Sequence, residues 1–180
     1  VVQGDDQIEV TELINDSRKV SEGSVFVCIS GAVSDGHTYI EQVAEKGAAA
    51  VIVEKDVEAP EGLTVIKVKD TRYALAMTSA AYFGYPAEKL KVIGITGTKG
   101  KTTTTYMVKS ILEEVGIRVG LIGTIEHHLG NEVETSQNTT PDAFTIQSYF
   151  AKMVEAGCHY AVMEVSSQGI KQHRIDGIWF

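Results

Sequence analysis

The amino-acid sequence predicts an α/β protein, with a small amino-terminal α/β domain followed by the first part of a phosphate-loop domain built on a parallel sheet. Three observations predict it. Short apolar, β-branched runs alternate with segments of helical spacing, which is the pattern of parallel α/β units. One such run, Val92-Ile93-Gly94-Ile95, leads through Thr96-Gly97-Thr98-Lys99-Gly100 into Lys101-Thr102-Thr103, where a helical pattern begins. Strand, glycine loop, then helix is the context a phosphate loop requires. The triplet Gly84-Tyr85-Pro86 interrupts the alternation, which then restarts, so the chain is expected to divide into domains 1–88 and 89–180.

Residues 1–23 are polar and give no clear element; Leu13-Ile14 is a short apolar run, Asp16-Ser17-Arg18 follows it, and Ser21-Glu22-Gly23 reads as a turn. Val25 to Ile29 reads as a buried strand closed by Ser30-Gly31. Asp35-Gly36-His37 starts a helix to about Lys46, with Ile40, Val43 and Ala44 as its apolar stripe and Gly47 at its C′ position. Ala49 to Val53 and Thr64 to Val68 are the next strands, and Asp70 can cap an alanine-rich helix carrying Leu75, Met77 and Ala81. In the second domain, a helix from Lys101 to Val115 is expected to turn Met107, Val108, Ile111, Leu112 and Val115 towards the core, with Gly116 ending it. Arg118 to Ile122 is a strand. Thr140-Pro141-Asp142 reads as a helix start with a hydroxyl cap, proline at N1 and an acid in the first turn. That helix carries Phe144, Phe150, Met153 and Val154 to Gly157, and Tyr160 to Met163 is a buried strand ending in Glu164. The chain stops in the apolar run Ile178-Trp179-Phe180, and a sheet of so few strands looks incomplete.

Composition narrows the function classes. With 43% apolar and 22% charged residues the chain can build a core. A net charge of −8, with no basic stripe, argues against a nucleic-acid partner. Cys28 and Cys158 lie far apart in apolar runs, so they are expected to be buried free thiols. No apolar segment has the length of a membrane span and no leader pattern opens the chain, so no membrane partner and a cytoplasmic location are expected.

The phosphate loop carries the first chemistry. Glycines let backbone N–H groups crowd around phosphate oxygens, and the following helix points its positive end at the same anion. Lys101 would reach the β- and γ-phosphates and Thr102 would bring its hydroxyl to Mg²⁺. The strict pattern places glycine at position 95, where this chain has Ile95. Glu164 ends an apolar strand where a phosphate-loop fold places its Mg²⁺-linked acid, and the alternative is a solvent-facing strand-end carboxylate. Asn138-Thr139-Thr140 and Ser166-Ser167 suit phosphate or sugar hydroxyls, or serve only as helix caps. Gln172-His173-Arg174 is a fork for an anion or a surface loop. His127-His128 lacks a third ligand at metal spacing and is expected at the surface.

Four of these segments, G-T-K-G-K-T-T-T, N-T-T-P-D, M-E-V-S-S-Q-G and Q-H-R-I, resemble the Mur ligases. So do the amino-terminal D-S-R-K-V, G-S-V-F-V, D-G-H-T-Y-I and G-A-A-A-V-I-V. The branch resembled is the one that adds the third amino acid to the peptidoglycan precursor. The resemblance implies a UDP-binding first domain and a P-loop parallel-sheet ATPase second domain, in a monomer. Asn15, Ser17, Ala32, Val33 and Ser34 would hold the uridine diphosphate; Asn138, Thr139, Thr140, Ser166, Gln172 and Arg174 would hold the muramoyl-peptide part. Gly97, Thr98, Lys99, Gly100, Lys101, Thr102 and Thr103 would hold ATP, with Thr102 and Glu164 on Mg²⁺ and Lys101 and Glu164 as catalytic groups. Lys99 stands where the family more often has asparagine. The implied reaction is ATP-dependent amide-bond formation between UDP-MurNAc-L-Ala-D-Glu and a diamino acid, lysine or diaminopimelate, through an acyl phosphate. The family's carbamylated lysine, its second-metal histidine and its amino-acid pocket have no counterpart in this sequence, so the expectation is an amino-terminal fragment inactive alone. A relative such as folylpolyglutamate synthase shares the shortened loop but is not expected to carry N-T-T-P-D. A GTP switch needs an N-K-x-D segment, which the sequence lacks. A module that only binds a UDP-sugar is the remaining alternative.

Overall fold

The computed structural model describes residues 1–31 and 34–180, and Ala32 and Val33 lie outside the described residues. The chain forms two compact units, Val1–Thr78 and Ser79–Phe180.

The first unit holds a wholly parallel sheet in the order β1-β2-β3-β4, with β1 Glu12–Ile14, β2 Ser24–Val27, β3 Ala50–Val53 and β4 Thr64–Lys67. Every residue of β2 and β3 is buried, the reason both read as unbroken apolar runs. β1 lacked such a signal. Only Leu13 and Ile14 of it are buried, and its pairing with β2 decides it. Asp35 caps a short 3₁₀ turn, Gly36–Tyr39, by accepting from the His37 N–H, and the α-helix proper, α1, is only Ile40–Glu45. Gly36 is required by close approach, because a Cβ there would stand 2.7 Å from the Ile29 nitrogen. Asp70 caps α2, Thr71–Tyr82, through the N–H groups of Arg72 and Tyr73. The unit division falls inside α2, ahead of the Gly84-Tyr85-Pro86 punctuation. The last residues of α2 lie in the second unit, where the rings of Tyr82 and Phe83 stand 6.1 Å and 5.1 Å from that of Phe144. Phe26, Val43, Val51, Val53 and Val65 centre the first core, which also takes in Cys28. Burial pushes the Cys28 thiol up to about 12.

The second unit has the strand order β5-β9-β6-β7-β8, with β5 Lys91–Ile95, β6 Val119–Ile122, β7 Glu126–His128, β8 Val133–Thr135 and β9 Tyr160–Glu164. β5 and β6 flank β9 and both run parallel to it. β7 and β8 form an antiparallel hairpin on the far edge of β6, in segments too charged to read as strands. Helices are α3 Lys101–Glu114, α4 Ala143–Glu155 and α5 Ser167–Lys171. Ile122, Ile146, Phe150, Met153, Ala161 and Met163 form the core, and Cys158 is buried beside it. Among the described residues no helix is long and apolar enough to cross a membrane.

Two expectations are corrected here. Met107, Ile111 and Val115 of α3 are 61%, 68% and 70% exposed, Val108 and Leu112 are half-buried, and the buried residue of that helix is Thr105. The phosphate loop sets the rotation of α3. Thr102 faces Glu164, so the positions one and two turns on, Thr105 and Lys109, follow it inward and the apolar stripe turns away. The cap of α4 is Asp142, which accepts from the Thr145 N–H at 3.1 Å, and not Thr140. The Thr140 hydroxyl is taken by the backbone around Glu164 instead.

Candidate active site

Ile95 is still strand. It pairs in register with Glu164, and its carbonyl accepts from the Val165 N–H at 2.8 Å. Position 95 therefore needs no glycine. The loop turns only afterwards, at Gly97 with φ +149° and at Gly100 with φ +80°, where a side chain would be strained. Gly100 is also the N-cap of α3 and offers no side-chain bond to the helix, whose first turn carries no acid. The free N–H groups and positive end of α3 thus face an open loop whose residues 96–100 are all exposed. Lys101 bends back over this loop and donates to the Gly97 carbonyl at 2.9 Å. An ammonium, a helix end and two glycines converge where a polyphosphate would sit.

Glu164 ends β9 and is 1% exposed, which rules out a solvent-facing acid. Its Oε2 accepts from the Thr102 hydroxyl at 3.1 Å and from the Thr124 hydroxyl at 3.1 Å, and its Oε1 accepts from the Thr124 N–H at 2.9 Å. All three donors are neutral. A carboxylate withdrawn from water and met by neutral groups alone is left in electrostatic deficit, which a cation corrects. Its donor set fits Mg²⁺, because Thr102 and Glu164 offer hard oxygens. Mg²⁺ is commonly held by one or two protein oxygens, with phosphate and water completing its shell. Thr124 escaped the sequence reading. The available signal is its place two residues beyond the end of β6, on the same sheet edge as Glu164 and the loop.

A second cluster adjoins the first. Thr140 is 1% exposed; its hydroxyl donates to the Glu164 carbonyl at 2.9 Å and accepts from the Ser166 N–H at 3.0 Å. Ser166 caps α5 through the Gly169 N–H. Arg174 donates to the Thr140 carbonyl at 2.5 Å and twice to the Gln172 side-chain oxygen. Thr140, Ser166, Gln172 and Arg174 are thus brought into one group, and Thr139 joins it to the carboxylate through Thr124, 3.0 Å away. Asn138 is exposed and lines a cavity of about 260 Å³ with His127, Glu134 and Tyr149. The surface expectation for the histidine pair is corrected. His127 is 2% exposed with its ring 5.0 Å from that of Tyr149, and burial lowers its pKa; His128, on the other face of β7, pairs with Glu126 at 2.7 Å.

In the first unit, Asn15, Ser17 and Ser34 line one cleft of about 680 Å³ with Tyr39 and Gln42. Asp16 and Arg18 sit on the same cleft and pair at 2.8 Å, which holds the Asp16 carboxyl at about 2. Ser34 and Tyr39 share a hydroxyl–hydroxyl bond of 2.9 Å. The other two residues expected here, Ala32 and Val33, lie outside the described residues.

Comparison with known proteins finds matches over two successive stretches of the chain. Residues 9–85 match the sequence profile described as Mur ligase family, catalytic domain, and residues 95–180 that of the Mur ligase middle domain. The chain is 47% identical over its full length to the UDP-N-acetylmuramoyl-L-alanyl-D-glutamate–2,6-diaminopimelate ligase of Clostridium perfringens (strain 13 / Type A), covering 37% of it. It is 46% identical over 175 residues, 97% of its length, to the ligase of the same description from Clostridioides difficile (strain 630), covering 36% of that protein. It therefore spans a little over a third of the curated relatives it matches. A solved UDP-N-acetylmuramoyl-L-alanyl-D-glutamate–2,6-diaminopimelate ligase superposes with a TM-score of 0.76 at 25% identity, over 93% of this chain and 34% of that one. The MurF ligase of Thermotoga maritima in complex with ADP gives 0.56 at 23% identity, over 95% of this chain and 36% of that one, a likeness of fold alone.

Proposed function

Because the chain belongs to the Mur ligase family, we propose that it carries the uridine-nucleotide and ATP sites of a cytoplasmic, monomeric ligase. That enzyme joins a diamino acid to UDP-MurNAc-L-Ala-D-Glu, and the names of the relatives favour 2,6-diaminopimelate. Residues 1–88 hold the uridine nucleotide, with Asn15, Ser17 and the Ala32-Val33-Ser34 segment around the diphosphate. Residues 89–180 hold ATP on Gly97 through Thr103. Asn138, Thr139, Thr140, Ser166, Gln172 and Arg174 take the muramoyl-peptide part. In the reaction an oxygen of the D-glutamyl γ-carboxylate attacks the γ-phosphorus, the bond to ADP breaks, and the amine then displaces phosphate from the acyl phosphate with loss of a proton.

The chain's own residues do the following. Lys101 leaves the Gly97 carbonyl for the phosphate oxygens, moving one ammonium by a side-chain rotation. Thr102 and Glu164 would hold Mg²⁺, which would supply positive charge to offset that on the transferring phosphoryl group. Burial of Glu164 strengthens its attraction for a cation, because the surrounding dielectric is low. The observation that carries the reading is the 3.1 Å bond between Thr102 of the loop and Glu164 of a strand 62 residues away.

Isothermal titration with ATP and Mg²⁺ tests it. Lys101→Ala should weaken ATP about 10- to 100-fold, the worth of a charge-assisted phosphate contact. Equal affinities for the variant and the parent chain would remove the phosphate-loop assignment.

A further inference from the structure

We propose that Thr124 is a positioning residue that fixes the Glu164 carboxylate for its metal and, through the same hydroxyl, makes Thr139 an obligate acceptor towards the bound substrate. The proposal rests on the phosphate-loop reading above and adds to it a residue and a direction of hydrogen bonding.

Among the described residues, Thr124 is the one that binds both carboxylate oxygens of Glu164, its N–H at Oε1 (2.9 Å) and its hydroxyl at Oε2 (3.1 Å). Two bonds from one residue, one of them from its backbone, fix the plane of the carboxylate, where the single bond from Thr102 leaves it free to rotate. The preceding glycine permits the approach, since a Cβ on Gly123 would stand 2.9 Å from Oε1. A carboxylate 1% exposed and clamped in this way presents its remaining lone pairs in a set direction.

The Thr124 hydroxyl has one proton and two neighbours, Glu164 Oε2 and the Thr139 hydroxyl at 3.0 Å. An ionised carboxylate only accepts, and a bond to it is charge-assisted, so the Thr124 proton points at Glu164. Thr139 must then donate to Thr124. Its own proton is committed, and only lone pairs remain for a ligand. Thr139 therefore recognises an amide N–H or a sugar hydroxyl of the muramoyl-peptide part and contributes nothing to a phosphate or carboxylate oxygen. The chain Thr139 → Thr124 → Glu164 links the substrate group to the metal-binding acid by three side chains.

The test compares Thr124→Val, which keeps shape and backbone N–H but loses the hydroxyl, with Thr124→Ser, which restores it. ADP affinity is measured by calorimetry with and without Mg²⁺, and the quantity read is the Mg²⁺ concentration giving half of the metal-dependent gain. Thr124→Val should raise that concentration about tenfold or more, the usual effect of losing a partner that orients a metal ligand, and Thr124→Ser should return it to near the parent value. An unchanged Mg²⁺ response in Thr124→Val overturns the proposal while leaving the phosphate loop standing. If that variant does not fold, the parent chain decides. On adding Mg²⁺ to the ADP-bound protein, the Thr124 amide NMR signal should move with those of the loop. Movement of the loop signals alone overturns the assignment. A parent chain that binds no ADP removes the phosphate-loop reading and the Thr124 role with it.

Discussion

Glu164 concentrates the electrostatic demand of the second unit in one side chain. Its three donors are hydroxyls and an amide, so removing its charge should cost the fold little and the metal a great deal. In Glu164→Gln the amide oxygen can keep the Thr124 N–H, while the two hydroxyls can turn their lone pairs to the new NH₂. The expected outcome is a melting temperature close to that of the parent and a loss of most of the Mg²⁺ dependence of nucleotide binding. A variant that follows the parent Mg²⁺ titration would place Glu164 outside the site. His127 makes the opposite kind of demand, a base buried in its neutral form against Tyr149. Burial lowers its pKa from the ordinary 6.5, with His128 adding to the effect and Glu134 opposing it. As pH falls through 6.5 the unfolded chain takes up a proton that the folded chain refuses, so this group subtracts stability below that point. The melting temperature of the second unit should therefore decline between about pH 7 and about pH 5. His127→Phe, which keeps a ring on Tyr149, should flatten that decline. Parallel curves for the two proteins would assign the pH dependence to other groups.

At the scale of elements, α3 shows a functional contact overriding a hydrophobic pattern. Its apolar residues are spaced for burial, yet the contact of Thr102 with Glu164 rotates them outward and puts Thr105 against the sheet. The consequence is measurable in this chain. Ile111→Lys, at a position 68% exposed, should change its stability by less than about 0.5 kcal/mol. Thr105→Leu, forcing extra volume into a fully buried position, should cost about 1–3 kcal/mol. Chemical denaturation of both variants checks the ordering, and the reverse order would mean that the helix sits in the rotation its apolar stripe suggests. The strands that read most plainly as apolar runs share one property. β2, β3 and β9 each lie between two parallel neighbours, buried on both faces, and so carry apolar runs. β1, β7 and β8 are three-residue strands at or near an edge, held by backbone pairing, which leaves no mark on residue type.

For the whole molecule, two separate cores are matched by two separate nucleotide sites in our proposal. The core around Phe26 and Val51 lies within the first unit, and that around Phe150 and Met163 within the second. A ligand that binds only the native form stabilises what it binds, by about 2.7 kcal/mol at a hundred times its Kd. UDP should therefore slow amide hydrogen exchange in β2 and β3, and ADP with Mg²⁺ should slow it in β5 and β9. Protection by UDP confined to residues 79–180 would contradict the assignment of the first cleft.

What the sequence determined by itself is whatever follows from local chemistry: the order of interior strands and helices, the glycine turns of the phosphate loop, the burial of both thiols and the acid at the end of β9. Each depends on residues adjacent in the chain or repeated at a fixed spacing. The tertiary structure alone decided the rotation of α3, the transfer of the α4 cap from Thr140 to Asp142, the burial of His127 and the place of Thr124 beside Glu164. Thr124 and Glu164 are 40 residues apart and meet only because β6 and β9 are neighbours in one sheet. Their energy resides in a contact across the sheet edge, and neither residue's own surroundings in the chain record it.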